Sequence, residues 1–91
     1  MKILWGEHAL VHTVVSDTKS YFFDEYVFET CIIQSLNCPD FEIRLSGRCF
    51  VVEKSFNYDV GICRQKPTNR CRVIYTRQKS SMFIITAYPI Q

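Results

Sequence analysis

The sequence contains few of the residues that mark flexible or unstructured chains. Only three glycines and three prolines occur among its 91 residues, and it has no internal repeat or low-complexity segment. Hydrophobic residues make up 47% of the chain and aromatic residues 14%, which is enough for a packed core and excludes an intrinsically disordered chain. A chain of this length supports one core. We therefore predict a single domain over residues 1–91.

Acidic residues are absent from the last third of the chain. The final one is Asp59, and six cations follow it: Arg64, Lys66, Arg70, Arg72, Arg77 and Lys79. The net charge is only +2, so the positive charge is concentrated rather than spread evenly. A basic C-terminal third suits RNA, because neutralised phosphates supply much of nucleic-acid affinity. A solvated strand face carries the same charges, so the charge pattern leaves both interpretations open. The candidate RNA-binding residues are Arg64, Lys66, Arg70 and Arg77.

Paired cysteine motifs and long apolar runs are also missing. The five cysteines include no CxxC pair, and an odd number cannot all form disulfides within the chain. We interpret them as reduced thiols that behave as small hydrophobic residues in the core. No apolar run reaches the ~18 residues of a membrane span, and the first residues lack the pattern of a signal peptide. We expect no membrane association and a cytoplasmic site of action.

The first part of the chain has the hydrophobic period of helices. Residues 7–17 place His8, Val11, His12 and Val15 on one helical face, although β-branched residues at 13–15 weaken this helix. Residues 20–37 give the stronger helix prediction. Acidic residues lie in its early turns, where the helix dipole favours them, and Pro39 follows its end.

After Pro39 the period changes to that of strands. The predicted strands cover residues 41–45, 49–56, 60–64, 71–76 and 82–88. Ser46 and Gly47 turn the first hairpin, residues 66–69 form a loop, and Pro89 ends the last strand. The expected fold is α+β, with two N-terminal helices packed on one face of a four- to five-stranded antiparallel sheet.

The last predicted strand presents a hydroxyl beside a phenol. Side chains alternate along a strand, so Ile84, Thr86 and Tyr88 share one face and Phe83, Ile85 and Ala87 share the other. Thr86 and Tyr88 are then about 7 Å apart, close enough to bind one phosphate together. The same two residue types are also good strand formers, which is the structural interpretation of the pair.

His8 and His12 are four residues apart. On a helix both imidazoles lie on one face, a spacing that suits metal ligation or paired acid and base catalysis. A third ligand and an HExxH arrangement are missing, so we expect neither a metal nor another cofactor. Acid and base catalysis fits better, because histidine titrates near neutral pH. The alternative is one functional or structural histidine and one incidental surface histidine.

Arg72 is the candidate phosphate ligand. Arg70, Arg72 and Ile74 share a face of the strand that pairs with residues 82–88, so an arginine can lie across from Thr86 and Tyr88. A guanidinium binds phosphate with two hydrogen bonds and stabilises the charge of a pentacovalent transition state. The alternative for Arg72 is a cross-strand ion pair or an exposed side chain.

The C-terminal third resembles a family of toxin nucleases. Residues 60–90, VGICRQKPTNRCRVIYTRQKSSMFIITAYPI, are similar to the C-terminal half of nucleases in the barnase, EndoU, colicin and RelE superfamily. Members carried at the ends of contact-dependent inhibition and polymorphic toxins often close with this kind of sequence. The resemblance is most specific at residues 85–89, Ile-Thr-Ala-Tyr-Pro. The first 60 residues match only in layout, with an early histidine and helices before a sheet.

This resemblance implies a site and a reaction. EndoU-like members combine two N-terminal histidines with a threonine and a tyrosine on the final strand, which correspond to His8, His12, Thr86 and Tyr88. The glycine-rich stretch between the histidines is absent here, and small members use one histidine with an arginine. A single histidine acting with Arg72 is therefore the alternative. The implied activity is metal-independent cleavage of RNA, in which the 2′-OH attacks the phosphate and leaves a 2′,3′-cyclic phosphate.

The same resemblance implies partners. A toxin of this kind cuts RNA and is neutralised by a cognate antitoxin or immunity protein, expected to be acidic. It can also be delivered as the end of a larger secreted toxin. The alternative from another class is a catalytically inactive RNA- or protein-binding module of the same fold. An immunity or antitoxin protein is disfavoured, because such partners of basic nucleases tend to be acidic.

Overall fold

A computed structural model describes residues 2–6 and 20–91 of the chain. Within them, in chain order, lie β1 Lys2–Trp5, β2 Ser20–Phe22, α1 Glu25–Asn37, β3 Phe41–Ser46, β4 Cys49–Ser55, β5 Gly61–Cys63, β6 Lys66–Thr68, β7 Arg70–Arg77 and β8 Ser81–Ile90. Strands hold 57% of the described residues, so this part of the chain is mostly β.

The strands form two sheets. The larger has the order β1-β8-β7-β4-β3, and the smaller has the order β2-β5-β6. All pairings are antiparallel except that between β1 and β8, which is parallel. The prediction of two helices on a single antiparallel sheet is therefore wrong: one helix and two sheets occupy the described residues. The helix predicted at residues 7–17 lies outside them.

Helix α1 is shorter than the helix predicted over residues 20–37. It begins at Glu25, after Asp24, whose carboxylate accepts a hydrogen bond from the backbone N–H of Val27 at 2.8 Å. An aspartate at this position satisfies one of the free N–H groups of the first turn. Residues 20–22 form β2 instead, because they pair with β5. The helix ends at Asn37, two residues before Pro39, as predicted.

The core lies between α1 and one face of the large sheet, here called the inner face. Phe28, Cys31 and Ile32 of the helix are fully buried. They pack with inner-face residues of the central strands, namely Val52, Cys71, Val73, Tyr75, Ile84 and Ala87. Trp5 and Phe22 both meet Phe28 edge to face, with ring centroids 5.8 Å apart. The opposite face of the sheet, here called the outer face, is the one that α1 leaves open.

A bulge interrupts the pairing of β7 with β8. Ile74 pairs with Thr86, whereas the next residue, Tyr75, pairs with Ile84, so Ile85 is an extra residue in β8. The bulge changes the alternation, and Ile84 and Ala87 are both buried in the core. The prediction that Ile84 shares a face with Thr86 is therefore wrong, whereas Thr86 and Tyr88 remain on one face.

Strand β8 also continues through Pro89. This proline is buried and pairs with Cys71, and the strand ends at Ile90. Among the described residues, β1 pairs only with Ser81–Ile84, so no described strand lies beyond the second half of β8. Proline is tolerated there because none of these strands needs its missing N–H.

The predicted loop at residues 66–69 is wrong, since Lys66–Thr68 forms β6. Cys63 pairs with Lys66, so only Arg64 and Gln65 connect β5 to β6. Both have positive φ, 52° and 69°. This is the conformation of a two-residue hairpin turn, which usually contains asparagine or glycine. Neither residue type occurs at these two positions, so the hairpin turn could not be recognised from its residues.

Gly61 lies where the small sheet and the large sheet approach each other closely. A Cβ at this position would lie 2.2 Å from the carbonyl oxygen of Tyr21 and 2.8 Å from Cγ of Pro89. Because Tyr21 belongs to the small sheet and Pro89 to the large one, a side chain here would push both away.

We expect Gly61→Ala to lower the free energy of unfolding by about 1–3 kcal/mol or more, since overpacking forces the backbone to move. Urea unfolding monitored by circular dichroism measures this loss. Gly6→Ala is the matched control, because among the described residues the nearest atom, Cζ of Phe83, would be 3.9 Å from the new Cβ. Equal unfolding midpoints for the two variants would contradict the close approach.

Candidate functional site

Three polar side chains lie in a row across the centre of the outer face. Glu53 of β4 pairs with Arg72 of β7, and Arg72 pairs with Tyr88 of β8. Because directly opposed residues project to the same face of a sheet, the carboxylate, guanidinium and phenol are immediate neighbours. Arg70 lies two residues before Arg72 on the same face. These four residues are here called the outer-face cluster.

Arg72 connects the members of this cluster. Its Nε donates to Oε2 of Glu53 at 2.7 Å, and its Nη2 lies 2.6 Å from the same oxygen. Its Nη1 donates to the hydroxyl of Tyr88 at 3.2 Å, and its guanidinium carbon is 5.7 Å from the centroid of the tyrosine ring. The second carboxylate oxygen of Glu53 accepts from Nη2 of Arg70 at 3.2 Å. Both oxygens of Glu53 are thus bound by arginine.

Burial differs between the two sides of these ion pairs. Glu53 is 7% exposed, whereas the side chains of Arg70 and Arg72 are 39% and 37% exposed. A buried carboxylate requires a positive partner, because an unpaired buried charge is very costly. Two arginines face one glutamate, so the outer-face cluster retains one positive charge that solvent and an anion can reach.

The surroundings of Arg72 favour its charged form. The hydrogen bond with Tyr88 raises the pKa of Arg72, and the bond with Glu53 adds to this effect against the opposing effect of burial. The hydroxyl of Tyr88 accepts its bond from Arg72, so the proton of the phenol stays available for donation to another group. The pair therefore offers a fixed cation beside a hydroxyl donor.

The structure brings together some of the predicted site residues. Arg72 and Tyr88 are in direct contact. Thr86 is half-buried on the same outer face, opposite Ile74 and two residues from Tyr88. The cross-strand ion pair expected as the alternative role of Arg72 is present, and it is formed with Glu53. His8 and His12 lie outside the described residues.

The four candidate RNA-binding residues do not form one surface. Arg70 belongs to the outer-face cluster. Arg64 and Lys66 lie at the β5–β6 hairpin of the small sheet. Arg77 is at the far end of β7, where its guanidinium lies 4.5 Å from the ring centroid of Phe50 and its Nη2 donates to the hydroxyl of Tyr75. The positive charge of the C-terminal third is thus divided among three places.

Sequence reasoning missed Glu53, although the sequence contains a signal for it. β4 reads CFVVEKS, so Glu53 follows an almost entirely apolar run. An acidic residue in such a strand needs a basic partner on an adjacent strand. The arginines at alternate positions 70 and 72 were the available candidates, but the pairing of β4 with β7 was not evident from the sequence.

An apolar surface adjoins the outer-face cluster. Phe41, Ile43 and Leu45 of the edge strand β3 project to the outer face and are 42%, 52% and 55% exposed. Together with Val51 and Ile74 they line a shallow depression of about 340 Å³, which Glu53, Arg72 and Tyr88 close on its polar side. A ligand in this depression would contact apolar side chains and the guanidinium together.

The cysteines occupy several environments. Cys31, Cys63 and Cys71 are buried, Cys49 is half-buried and Cys38 is exposed. The interpretation as core thiols therefore fits three of the five. Cys31 and Cys71 face each other in the core, and this contact together with burial raises the pKa of the Cys31 thiol, which stays protonated at neutral pH.

We expect Glu53→Gln to destabilise the fold, because the substitution removes the charge that holds Arg70 and Arg72 while preserving shape. The loss should be about 1–2 kcal/mol, at the low end for a buried ion pair since both arginines are more than one third exposed. Chemical denaturation gives the difference. Asp59→Asn, at an exposed position outside the helix and the strands, is the control; a loss no larger than in this control would show that the ion pairs contribute nothing.

Among the residues that the structure describes, no helix is long and apolar enough to cross a membrane. Comparison with protein-family models found no match. The curated proteins and the solved structures likewise contain no match to this chain. The chemistry of the outer face is therefore the observation of this structure that bears on function.

Proposed function

We propose that this chain is a metal-independent endoribonuclease toxin that cleaves RNA by attack of the ribose 2′-OH on the adjacent phosphate. The observation that carries the proposal is the contact between Arg72 and Tyr88 on the outer face, where Glu53 of the neighbouring strand β4 holds the guanidinium in place. The resemblance of residues 85–89 to the last strand of toxin nucleases supports the same assignment, since it contains both Thr86 and Tyr88.

In this proposal Arg72 and Thr86 hold the phosphate. The guanidinium supplies charge to the non-bridging oxygens, which become more negative as the pentacovalent transition state forms. Thr86 lies on the same face and can donate its hydroxyl proton to one of these oxygens. Glu53 is a positioning residue, because both of its oxygens are bound by arginine and neither is free to remove a proton.

Proton transfer is assigned to the histidines and Tyr88. A neutral His8 or His12 takes the proton of the 2′-OH as that oxygen bonds to phosphorus. The bond from phosphorus to the 5′-oxygen then breaks, and a second histidine or Tyr88 gives this oxygen a proton. The products are a 2′,3′-cyclic phosphate and a free 5′-OH. DNA lacks the 2′-OH and is left intact.

We expect purified protein to cut RNA in the presence of EDTA and to leave 2′,3′-cyclic phosphate ends. Arg72→Gln should lower the rate by about 10²–10³-fold and Tyr88→Phe by about 10²-fold, as for the loss of a charge-stabilising or acid group. Electrophoresis of the products with chemical analysis of their ends provides the measurement. Tyr26→Phe is the matched control, since Tyr26 is an exposed helix residue far from β8 in sequence.

Variants of the histidines test the proton transfers separately. His8→Ala or His12→Ala should reduce cleavage by about 10²–10⁴-fold if that histidine acts as acid or base. Loss in only one of the two variants would favour the single-histidine form of the mechanism. Full activity in both would disprove this mechanism.

A neutralising protein partner belongs to the same proposal. An acidic antitoxin or immunity protein would place carboxylates against Arg70 and Arg72 and apolar side chains against Phe41, Ile43 and Leu45. Covering these residues would also block access of RNA to Arg72. The site of action would be the cytoplasm, reached from within the cell or by delivery of the chain as the end of a larger secreted toxin.

The exposed apolar row on β3 favours a second candidate. Phe41, Ile43 and Leu45 beside a guanidinium suit a protein-binding surface as well as an enzyme. The chain would then be a catalytically inactive RNA- or protein-binding module of the same fold.

Expression in growing cells separates the two candidates. A ribonuclease toxin without its partner should arrest growth, and Arg72→Gln should restore growth at equal protein levels. Colony counts after induction, with immunoblots to compare expression, give the result. Normal growth with intact cellular RNA, at a level of folded wild-type protein comparable to the variant, would favour the binding module.

A further inference from the structure

A second positively charged site lies at the end of the large sheet, where the β3–β4 turn meets the β7–β8 loop. Four cations, Arg44, Arg48, Arg77 and Lys79, line a pocket of about 370 Å³ with Phe50. We propose that this cationic pocket binds phosphate groups of an RNA backbone, separately from the outer-face cluster. The identity of the polyanion as RNA rests on the proposed function.

The cationic pocket has a large excess of positive charge. Among the described residues, the carboxylate within ion-pair distance of these cations is that of Glu42, which lies 3.7 Å from Nη2 of Arg77. Four cations against one carboxylate leave three positive charges in one concavity, more than the net charge of +2 of the whole chain. Cations held this close repel one another, and a bound anion would relieve that repulsion.

Two of the four cations are already held in place. Nε of Arg44 donates to the carbonyl oxygen of Gly47 at 2.7 Å, which holds this guanidinium over the β3–β4 turn. The guanidinium of Arg77 lies 4.5 Å from the ring centroid of Phe50 and bonds to the hydroxyl of Tyr75 at 3.2 Å. Fixed guanidinium groups lose less conformational entropy when an anion binds.

The other two cations are exposed on neighbouring segments. The backbone N–H of Arg77 donates to the carbonyl oxygen of Arg48 at 2.9 Å, so the turn and the loop are tied together. The side chains of Arg48 and Lys79 project from them and have no polar partner among the described residues. They can close on an anion without breaking an existing bond.

The cationic pocket and the outer-face cluster are too far apart to bind the same phosphate group. Arg77 is five residues from Arg72 on β7, roughly 17 Å along the strand at about 3.3 Å per residue. An odd separation also places the two side chains on opposite faces. A linear polyanion that reaches both must pass around the end of the sheet, and a flexible single strand of RNA can do so. Arginine pairs with phosphate through two parallel hydrogen bonds, which matches the donors present.

The test measures binding of 2′-O-methyl RNA, which has no free 2′-OH and so cannot be cleaved by the proposed reaction. The affinity of the wild type is followed against salt concentration by fluorescence anisotropy. Each phosphate contact with single-stranded nucleic acid contributes about 0.7 to the slope of log affinity against log salt. Arg48→Gln/Lys79→Gln should therefore reduce the magnitude of this slope by up to about 1.4 and weaken binding on the order of tenfold at 0.1 M salt.

Two controls separate contact from overall charge. Arg48→Lys/Lys79→Arg keeps both charges and should retain most of the slope. Lys54→Gln removes one charge near Phe56, away from the pocket, and should change the slope by much less than one contact. Three results would contradict binding at the cationic pocket. They are an unchanged slope in Arg48→Gln/Lys79→Gln, an equal loss of slope per charge in Lys54→Gln, and no binding by the wild type. Binding with the expected slopes and native RNA left uncut would overturn only the proposed activity.

Discussion

The alternation of side chains along β7 determines which residues lie on each face of the large sheet. This strand pairs with β4 on one side and β8 on the other, so its residues set the register of the sheet centre. Cys71, Val73 and Tyr75 project into the core beneath α1, and Arg70, Arg72 and Ile74 project outward. A slip of one residue would bury the arginines and expose the core residues, which makes the register energetically strict. The same constraint that closes the core therefore places Arg72 between Glu53 and Tyr88.

Much of the sheet could be predicted from the sequence, and the failures have physical causes. The two long hairpins were recognisable because β-branched and aromatic runs flank polar turns. β2 and β6 were missed because each has three residues, too few to show a period, and their pairing depends on distant parts of the chain. The bulge at Ile85 was missed because a bulge depends on the pairing with the neighbouring strand. The run of apolar residues at 83–85 looks the same in the sequence whether or not a bulge is present. The predicted fold class is wrong because β2 and β6 were not recognised, and these two strands form the second sheet with β5.

The candidate site was predictable only in part. Arg72, Thr86 and Tyr88 could be placed on one face from the period of two, because this feature is local to a hairpin. Glu53 could not be placed, since its role depends on the pairing of β4 with β7. The charge count suggested one basic region, whereas the structure divides the cations between the outer-face cluster, the small sheet and the cationic pocket. Position in a sheet, rather than position in the sequence, decides which charges act together.

The parallel pairing of β1 with β8 has a consequence for folding. Lys2 lies opposite Ser81, so the first strand pairs with the last one across almost the entire chain. Contacts of such high sequence separation form late and slow the folding of small domains, because the entropy of closing the long loop is lost before the contact forms. β1 is synthesised long before β8, so it lacks this partner until Ser81–Ile84 has been made. The large sheet can be completed only after β8 has been synthesised.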